Sequence, residues 1–291
     1  MAHNNHIIDG INKDLTHFYD REYYLDLAKD WEDPFGMPKI KNHNGFDVVR
    51  DDLLEYGSKC RFGDLLISQV KEDTLVYVQP RFGYAGISLS YLAHKYNKRL
   101  ILFMPSSKQI SEHQAVCIER GAIPKFRRIA AMPNLNRIAK QWSLENNAFF
   151  IPLGLVHPLV TAAIVKICEN LRGSWKDPET IWCAISTGVL SRGLQIGFPN
   201  TNFKAVAVAR NLKQGELGRS DVFSHYKSFH SNVDIKYDPP FPSASNYDAK
   251  VWEFMIKHGK EGDMMWNVAG NCASKLNKDN IDSQRQWGEI R

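Results

Sequence analysis

Val49-Arg50-Asp51-Asp52-Leu53-Leu54-Glu55-Tyr56-Gly57-Ser58-Lys59-Cys60-Arg61-Phe62 runs from an apolar, strand-like segment into a Gly-Ser-Lys turn and then a helix start. A lysine at that point is electrostatically awkward, because the N-terminus of a helix already carries partial positive charge. Nearby positive charge or desolvation would lower its pKa and make Lys59 a nucleophilic amine. On this turn alone, an exposed surface lysine is the competing reading.

The segments around this turn give it a fold. Apolar runs of strand length occur at 46–50, 74–79, 100–104, 149–153, 181–186 and 204–209. Between them lie stretches of helical period, one carrying Phe62, Leu65 and Leu66, another carrying Leu135, Ile138, Ala139 and Trp142. Continuous apolar strands alternating with helices imply parallel sheets covered on both faces, an α/β protein. A helix around Ile11, Leu15 and Phe18 is predicted to open the chain, followed by a Pro- and Gly-rich loop at 31–38. In parallel sheets, ligands sit where loops leave the carboxyl ends of strands, so the strand-to-helix turns are where chemistry is expected.

Two further turns qualify. Ile185-Ser186-Thr187-Gly188-Val189-Leu190-Ser191-Arg192-Gly193 is a strand, a small polar turn and a helix, which could cradle a phosphate on freed backbone N–H groups. Capping by Ser186 or Thr187 is the plainer alternative. Gln79-Pro80-Arg81-Phe82-Gly83-Tyr84-Ala85-Gly86 lies at another strand end; its glycines allow a ligand close to the backbone and Tyr84 could stack or donate a hydrogen bond. Neither a P-loop nor a G-x-G-x-x-G fingerprint is present. The ten histidines show no metal-site spacing, and no G-x-S-x-G turn occurs.

Composition sets the outer bounds. The 291 residues are 43% hydrophobic and 24% charged, enough apolar material for a substantial core. Cys60, Cys117, Cys168, Cys183 and Cys272 form no C-x-x-C pair, and their odd number argues against a full disulfide framework, which suits a cytoplasmic protein. No membrane segment is read, since apolar runs such as 100–104 are far too short. The net charge of +5 is weak, with a local surplus at Lys204, Arg210, Lys213, Arg219 and Lys227 against Glu216 and Asp221.

Taken together and in order, the turns resemble a known family. VVRDDLLEYGSKCRFGDLLI (48–67) is similar to the Arg-Asp-Asp-Leu segment and Lys-x-Arg helix start that carry the Schiff-base lysine of type II (tryptophan-synthase-β-like) pyridoxal-phosphate enzymes, and the match falls on Lys59. FGYAGISLSYLAHKYNKRLILFMP (82–105) is similar to the family's Ser-Gly-Asn-His turn with its helix and strand. FFIPLGLVHPLVTAAIVKICENL (149–171) and STGVLSRGLQIGF (186–198) resemble the Ile-Pro-x-Gly-Gly-Ser-Asn-Pro segment and the phosphate loop of the aminocyclopropane-carboxylate deaminase and D-cysteine desulfhydrase branch.

The resemblance implies two α/β lobes of mostly parallel sheet, a larger cofactor-binding lobe at 1–72 and 150–291 and a smaller one at 73–149, with a cleft between them. It implies pyridoxal 5'-phosphate held by Lys59, Gly83, Tyr84, Ser186, Thr187, Gly188, Val189 and Leu190, catalysis by Lys59 and Tyr84, and a substrate near Ser58, Tyr84, His157 and Phe241. A homodimer is expected from the family.

The chain departs from the family's pattern at several points. The family's Ser-Asn-His turn is Phe82-Gly83-Tyr84-Ala85 here, Gly-Gly-Ser-Asn is Gly154-Leu155-Val156-His157, and Phe241 in DPPFPSAS stands where a proton-transferring tyrosine is expected. The last strand has its counterpart in 264–270. Three functions follow as expectations. The first is a lyase, deaminase or decarboxylase acting at Cα of an amino acid. The second is an enzyme acting on an amino acid conjugated to a macromolecule, such as hypermodified bacteriophage DNA. The third is a non-catalytic relative.

Overall fold

The structure, a computed structural model, describes residues 20–128, 131–209 and 217–281; the helix expected around Ile11 to Phe18 lies outside them. Helix α1 (Arg21–Leu27) is capped by Asp20, whose carboxylate accepts the Tyr23 N–H at 2.9 Å. Strands β1 (Ile40–His43) and β2 (Phe46–Arg50) pair antiparallel across Asn44-Gly45. Both turn residues have positive φ, 53° and 84°, as a tight two-residue hairpin requires.

After a 3-10 turn at Asp51–Leu53 come α2 (Ser58–Phe62), α3 (Asp64–Gln69), β3 (Thr74–Val78), α4 (Ala85–Lys95) and β4 (Arg99–Pro105). They are followed by α5 (Glu112–Glu119), β5 (Ile123–Arg127), α6 (Met132–Glu145) and β6 (Phe149–Phe150). The chain continues through α7 (Pro158–Arg172), β7 (Thr180–Ile185), α8 (Val189–Gly197), β8 (Asn202–Ala207), β9 (Ser220–Ser224), α9 (Ala249–His258) and β10 (Met264–Asn267).

The described residues form two compact units, 20–65 with 156–271 and 66–155 with 272–281. The first holds a six-stranded sheet in the order β1-β2-β10-β7-β8-β9, parallel except for the β1 edge. All six residues of β7 are buried, as expected of a strand covered on both faces. Trp182, Val206 and Met265 from the strands pack with Trp252 and Met255 of α9. Helix α8 lies close against α7: a Cβ at Gly193 would stand 2.6 Å from Ile164 Cγ2, so only glycine permits the approach. That packing fixes the direction in which the start of α8 points.

The second unit holds a parallel four-stranded sheet, β5-β4-β3-β6, with Leu135 and Ala139 of α6 packed on Val76, Val78, Ile101 and Phe103. The segment after Asn271 groups with this unit, where the sequence reading put it in the larger lobe. The reason is local: Ser274 N–H donates to Glu112 at 2.9 Å, Ser274 Oγ donates to Glu119 at 2.8 Å, and Lys278 pairs with Glu112.

Strands β2, β3, β4, β6, β7 and β8 fall on the six predicted runs. β6 is shorter than predicted, since Pro152 has no N–H to continue the ladder. β1, β5 and β9 were not foreseen; β5 contains Pro124, and β9 is a largely exposed edge strand. Among the described residues no helix is long and apolar enough to cross a membrane.

Candidate active site

Lys59 follows Gly57, whose φ of 69° turns the chain from the strand into α2. The residues beside it hold that turn in place. Arg50 donates from Nε and Nη2 to the two Asp52 carboxylate oxygens, each at 2.7 Å. Asp52 Oδ1 also accepts Asn267 Nδ2 at 2.7 Å, so the ends of β2 and β10 are tied together. Asp51 accepts the Trp266 indole N–H at 3.0 Å and faces Arg61 at 3.5 Å; burial pushes its carboxyl up to about 6. Arg61 pairs with Asp33 and donates to the Gly36 carbonyl at 2.7 Å. The Arg-Asp-Asp and Lys-x-Arg positions are therefore a buried frame, leaving Lys59 as the chemical group within it.

Desolvation holds the Lys59 amine below the usual ammonium pKa, while the Asp248 carboxylate raises it. Asp248 is fully buried at the start of α9. Its Oδ2 accepts the Val268 N–H at 3.1 Å, while Oδ1 has no hydrogen-bond partner. The Val268 carbonyl in turn accepts the N–H of Ser58 at 2.8 Å, so one residue's backbone links Asp248 to the residue before Lys59. Burial pushes Asp248 up to about 8, against the Val268 N–H, Lys59 and the Ala269 N–H, which lower it. A buried carboxyl oxygen with nothing to accept from is costly, and it is suited to a cationic or N–H partner.

The second pole is the turn after β7. Gly188, at φ 74°, is the N-cap of α8 and provides no side chain to fill the turn. Ser186 Oγ lies 3.3 Å from Tyr247 Oη. Tyr247 and Asp248 are consecutive, so one segment reaches both the Ser186 loop and Lys59. Burial raises the Tyr247 phenol above its ordinary pKa, against its hydrogen bond with Ser186. Sequence reasoning missed both residues. It stopped at Phe241, although a Tyr-Asp pair at the next helix start was there to be weighed.

The predicted residues sort as follows. Lys59, Ser58, His157, Phe241 and 186–190 lie in the first unit; Gly83 and Tyr84 lie in the second. Phe241, expected to face a substrate, is 6% exposed, its ring under the Arg50 guanidinium at 5.1 Å and against Trp252 at 5.1 Å. It is a packing residue, because a phenyl ring there fills the core beside α9. His157 caps α7, its Nδ1 accepting the Leu159 N–H at 3.1 Å, and burial lowers its pKa to about 4. The Nδ1 acceptor role fixes the neutral Nε2–H tautomer.

In the second unit the buried Gln79 amide clamps the predicted turn, donating to Gly83 O at 3.0 Å and accepting the Gly86 N–H at 2.9 Å. Tyr84 packs edge-on against His113 at 5.5 Å. Among the described residues no group of three or more His, Cys, Asp or Glu could hold a metal ion.

Solved structures share this architecture. An "ACC deaminase homologue" superposes with a TM-score of 0.70 at 15% identity, over 88% of this chain and 97% of that one. The fold is the type II pyridoxal-phosphate fold. The processed form of threonine deaminase isoform 2 from Solanum lycopersicum gives 0.66 at 12% identity over 92% of this chain and 93% of that one. A "pyridoxal 5'-phosphate-dependent aspartate racemase" gives 0.64 at 9% identity over 89% and 95%. No family model and no curated protein sequence matches the chain. Within the type II fold, Lys59, Asp248 and the Ser186 loop lie at or next to the carboxyl ends of β2, β10 and β7, where ligands are expected.

Proposed function

We propose that this chain is a pyridoxal-phosphate enzyme acting at the Cα of an amino acid, as a deaminase or related lyase, with Lys59 as the attachment point. One observation carries the reading: the turn that presents Lys59 is tied through the Val268 peptide to Asp248, a fully buried carboxyl group that acts electrostatically on the Lys59 amine and has one oxygen without a hydrogen-bond partner. That combination suits a bound heteroaromatic cation and an aldehyde. The residues fit the cofactor in three places. Lys59 would hold its aldehyde carbon, Asp248 would face the ring nitrogen and its proton, and the backbone of 186–190 would hold the phosphate.

When bound, the group withdraws electrons from Cα and stabilises the negative charge that develops there. The chain's own residues do the rest. An amine with a depressed pKa is more readily neutral near pH 7, so Lys59 Nζ can form the covalent link and, once freed, take or return the Cα proton. The Tyr247 hydroxyl is a second proton-handling group, kept protonated by burial and oriented by Ser186. Two such groups, together with deaminase neighbours, favour Cα–H chemistry over decarboxylation.

The reading of a DNA-linked substrate rested on the altered carboxylate turn and on a run of basic residues, and the second of these supports is weaker in the structure. Of the basic residues that motivated it, Lys204 lies over the Trp182 ring at 4.8 Å, Arg219 donates to the Gln195 and Phe198 carbonyls, and Lys227 pairs with Asp234. Arg210 and Lys213 lie outside the described residues.

The test is spectral. Protein purified with pyridoxal phosphate is expected to show the absorption band of a lysine-linked imine and to exchange the Cα proton of a small amino acid for solvent deuterium. Lys59→Ala is expected to lose both, and a band that survives the substitution overturns the assignment.

A further inference from the structure

Away from the Lys59 turn, the first unit contains a cleft of about 360 Å³ between the 29–38 loop and α7. That is the small end of the range for ligand pockets, about 300–1,000 Å³. The loop that forms one wall is fixed from behind. Trp31 is buried and donates its indole N–H to Asp64 at 3.0 Å, while Asp33 and the Gly36 carbonyl both hold Arg61. A Cβ built on Gly36 would meet nothing within 4 Å, so the loop there stands beside open space.

The two walls differ in charge. Lys166 and Asn170, one helical turn apart and so on one face of α7, line one side; Glu32 and Asp33 line the loop side with Trp31 and Met37. Asp33 is engaged by Arg61, and Lys29 at the cleft's edge pairs with Asp26 at 3.5 Å. Lys166, Asn170 and Glu32 are not so engaged: among the described residues none of their side chains makes a hydrogen bond or ion pair. A lysine and a glutamate lining one small cleft would pair if they could reach each other, so the cleft holds them apart. A simple anion would be drawn to Lys166 and repelled by Glu32, and a simple cation the reverse. A molecule bearing both charges satisfies both, with Trp31 and the 45% exposed Met37 offering apolar surface for the rest of it. We propose that this cleft binds a zwitterionic α-amino acid with an apolar side chain, its carboxylate on Lys166 and Asn170 and its ammonium on Glu32. The site stands apart from the cofactor reading, since no residue of the Lys59 turn or the Ser186 loop lines it.

Calorimetric titration of the full chain with L-leucine, L-leucinamide and N-acetyl-L-leucine tests it, on wild type, Lys166→Gln, Glu32→Gln and Lys59→Ala. L-Leucine is expected to bind at a site that persists in Lys59→Ala. L-Leucinamide, without the carboxylate, and N-acetyl-L-leucine, without the ammonium, are each expected to bind about tenfold or more weakly. Lys166→Gln is expected to weaken L-leucine by about the same factor and to leave L-leucinamide within about twofold, because the group that Lys166 meets is already gone. Glu32→Gln is expected to weaken L-leucine likewise and to leave N-acetyl-L-leucine within about twofold. No binding of L-leucine to wild type at millimolar concentration, or equal losses for all three ligands in either cleft variant, overturns the proposal. Binding that vanishes in Lys59→Ala and ignores both cleft substitutions places the amino acid at Lys59, which overturns the cleft and leaves the Lys59 reading intact. Wild type that binds L-leucine in this pattern but forms no imine band with pyridoxal phosphate supports the cleft and overturns the cofactor reading alone.

Discussion

The first unit holds two cations near helix starts, Lys59 in α2 and Arg192 in α8, and they differ in what surrounds them. At α2, Lys59 faces Asp248 and a desolvated space, so its proton is easily lost. At α8, Arg192 lies against the Thr187 carbonyl, and a guanidinium keeps its proton at any accessible pH. Lys59 is the second residue of α2 and Arg192 the fourth of α8. The difference lies in whether the charge can titrate and in what stands opposite, and those separate an amine that can react from a guanidinium bound to its own loop.

The sharpest way to break this contrast is to make the first cation like the second. Lys59→Arg retains charge and bulk but has no nucleophilic amine, and it is expected to lower Cα-proton exchange by about a thousandfold or more. Residual exchange near wild-type rates would remove Lys59 from the chemistry. Next comes a paired test of the two aromatic residues near α9. Phe241→Ala is expected to cost about 3–5 kcal/mol of stability in denaturant unfolding, as for other large-to-small core changes. Tyr247→Phe is expected to leave stability within about 1 kcal/mol while slowing exchange roughly ten- to a hundredfold. The reverse pattern would return the catalytic place to position 241.

Asp248 gives a pH signature. Its folded pKa is raised to about 8, so the folded state holds the proton more tightly than the unfolded chain, whose carboxyl titrates near ~3.9. Stability of the cofactor-free protein should therefore fall as pH rises from about 4 to about 8. Asp248→Asn retains an acceptor for Val268 and cannot ionise, so its advantage over wild type is expected to grow across that window and to level off above it. A constant difference in urea midpoints would contradict the assignment. The smallest effect belongs to His157: Ala in its place is expected to cost about 1 kcal/mol through the lost cap, with cofactor affinity unchanged.

What could be read from the sequence follows the range of the interactions. Strands such as Ile181–Ile185 announce themselves because burial on both faces demands an unbroken apolar run, and Lys59 is marked by its turn. The hairpin at Asn44-Gly45 left a local signal that was passed over. Asp248 is different: its meaning depends on Lys59, 189 residues away along the chain, and on the Val268 peptide. His157 looked like a ligand residue from the segment it replaces, yet Pro158 after it already marks a helix start, where a capping acceptor is needed. Phe241 was expected to face a substrate and is instead found buried against Trp252, because a loop's composition says little about which of its aromatic rings turns inward.

The central claim is that Lys59 carries the cofactor. Borohydride reduction of protein loaded with pyridoxal phosphate, followed by peptide mass mapping, tests it most directly. The account expects a single phosphopyridoxyl group on the peptide containing Lys59, in near-stoichiometric yield. A label on another lysine, or spread over surface lysines with Lys59 unmodified, would contradict it.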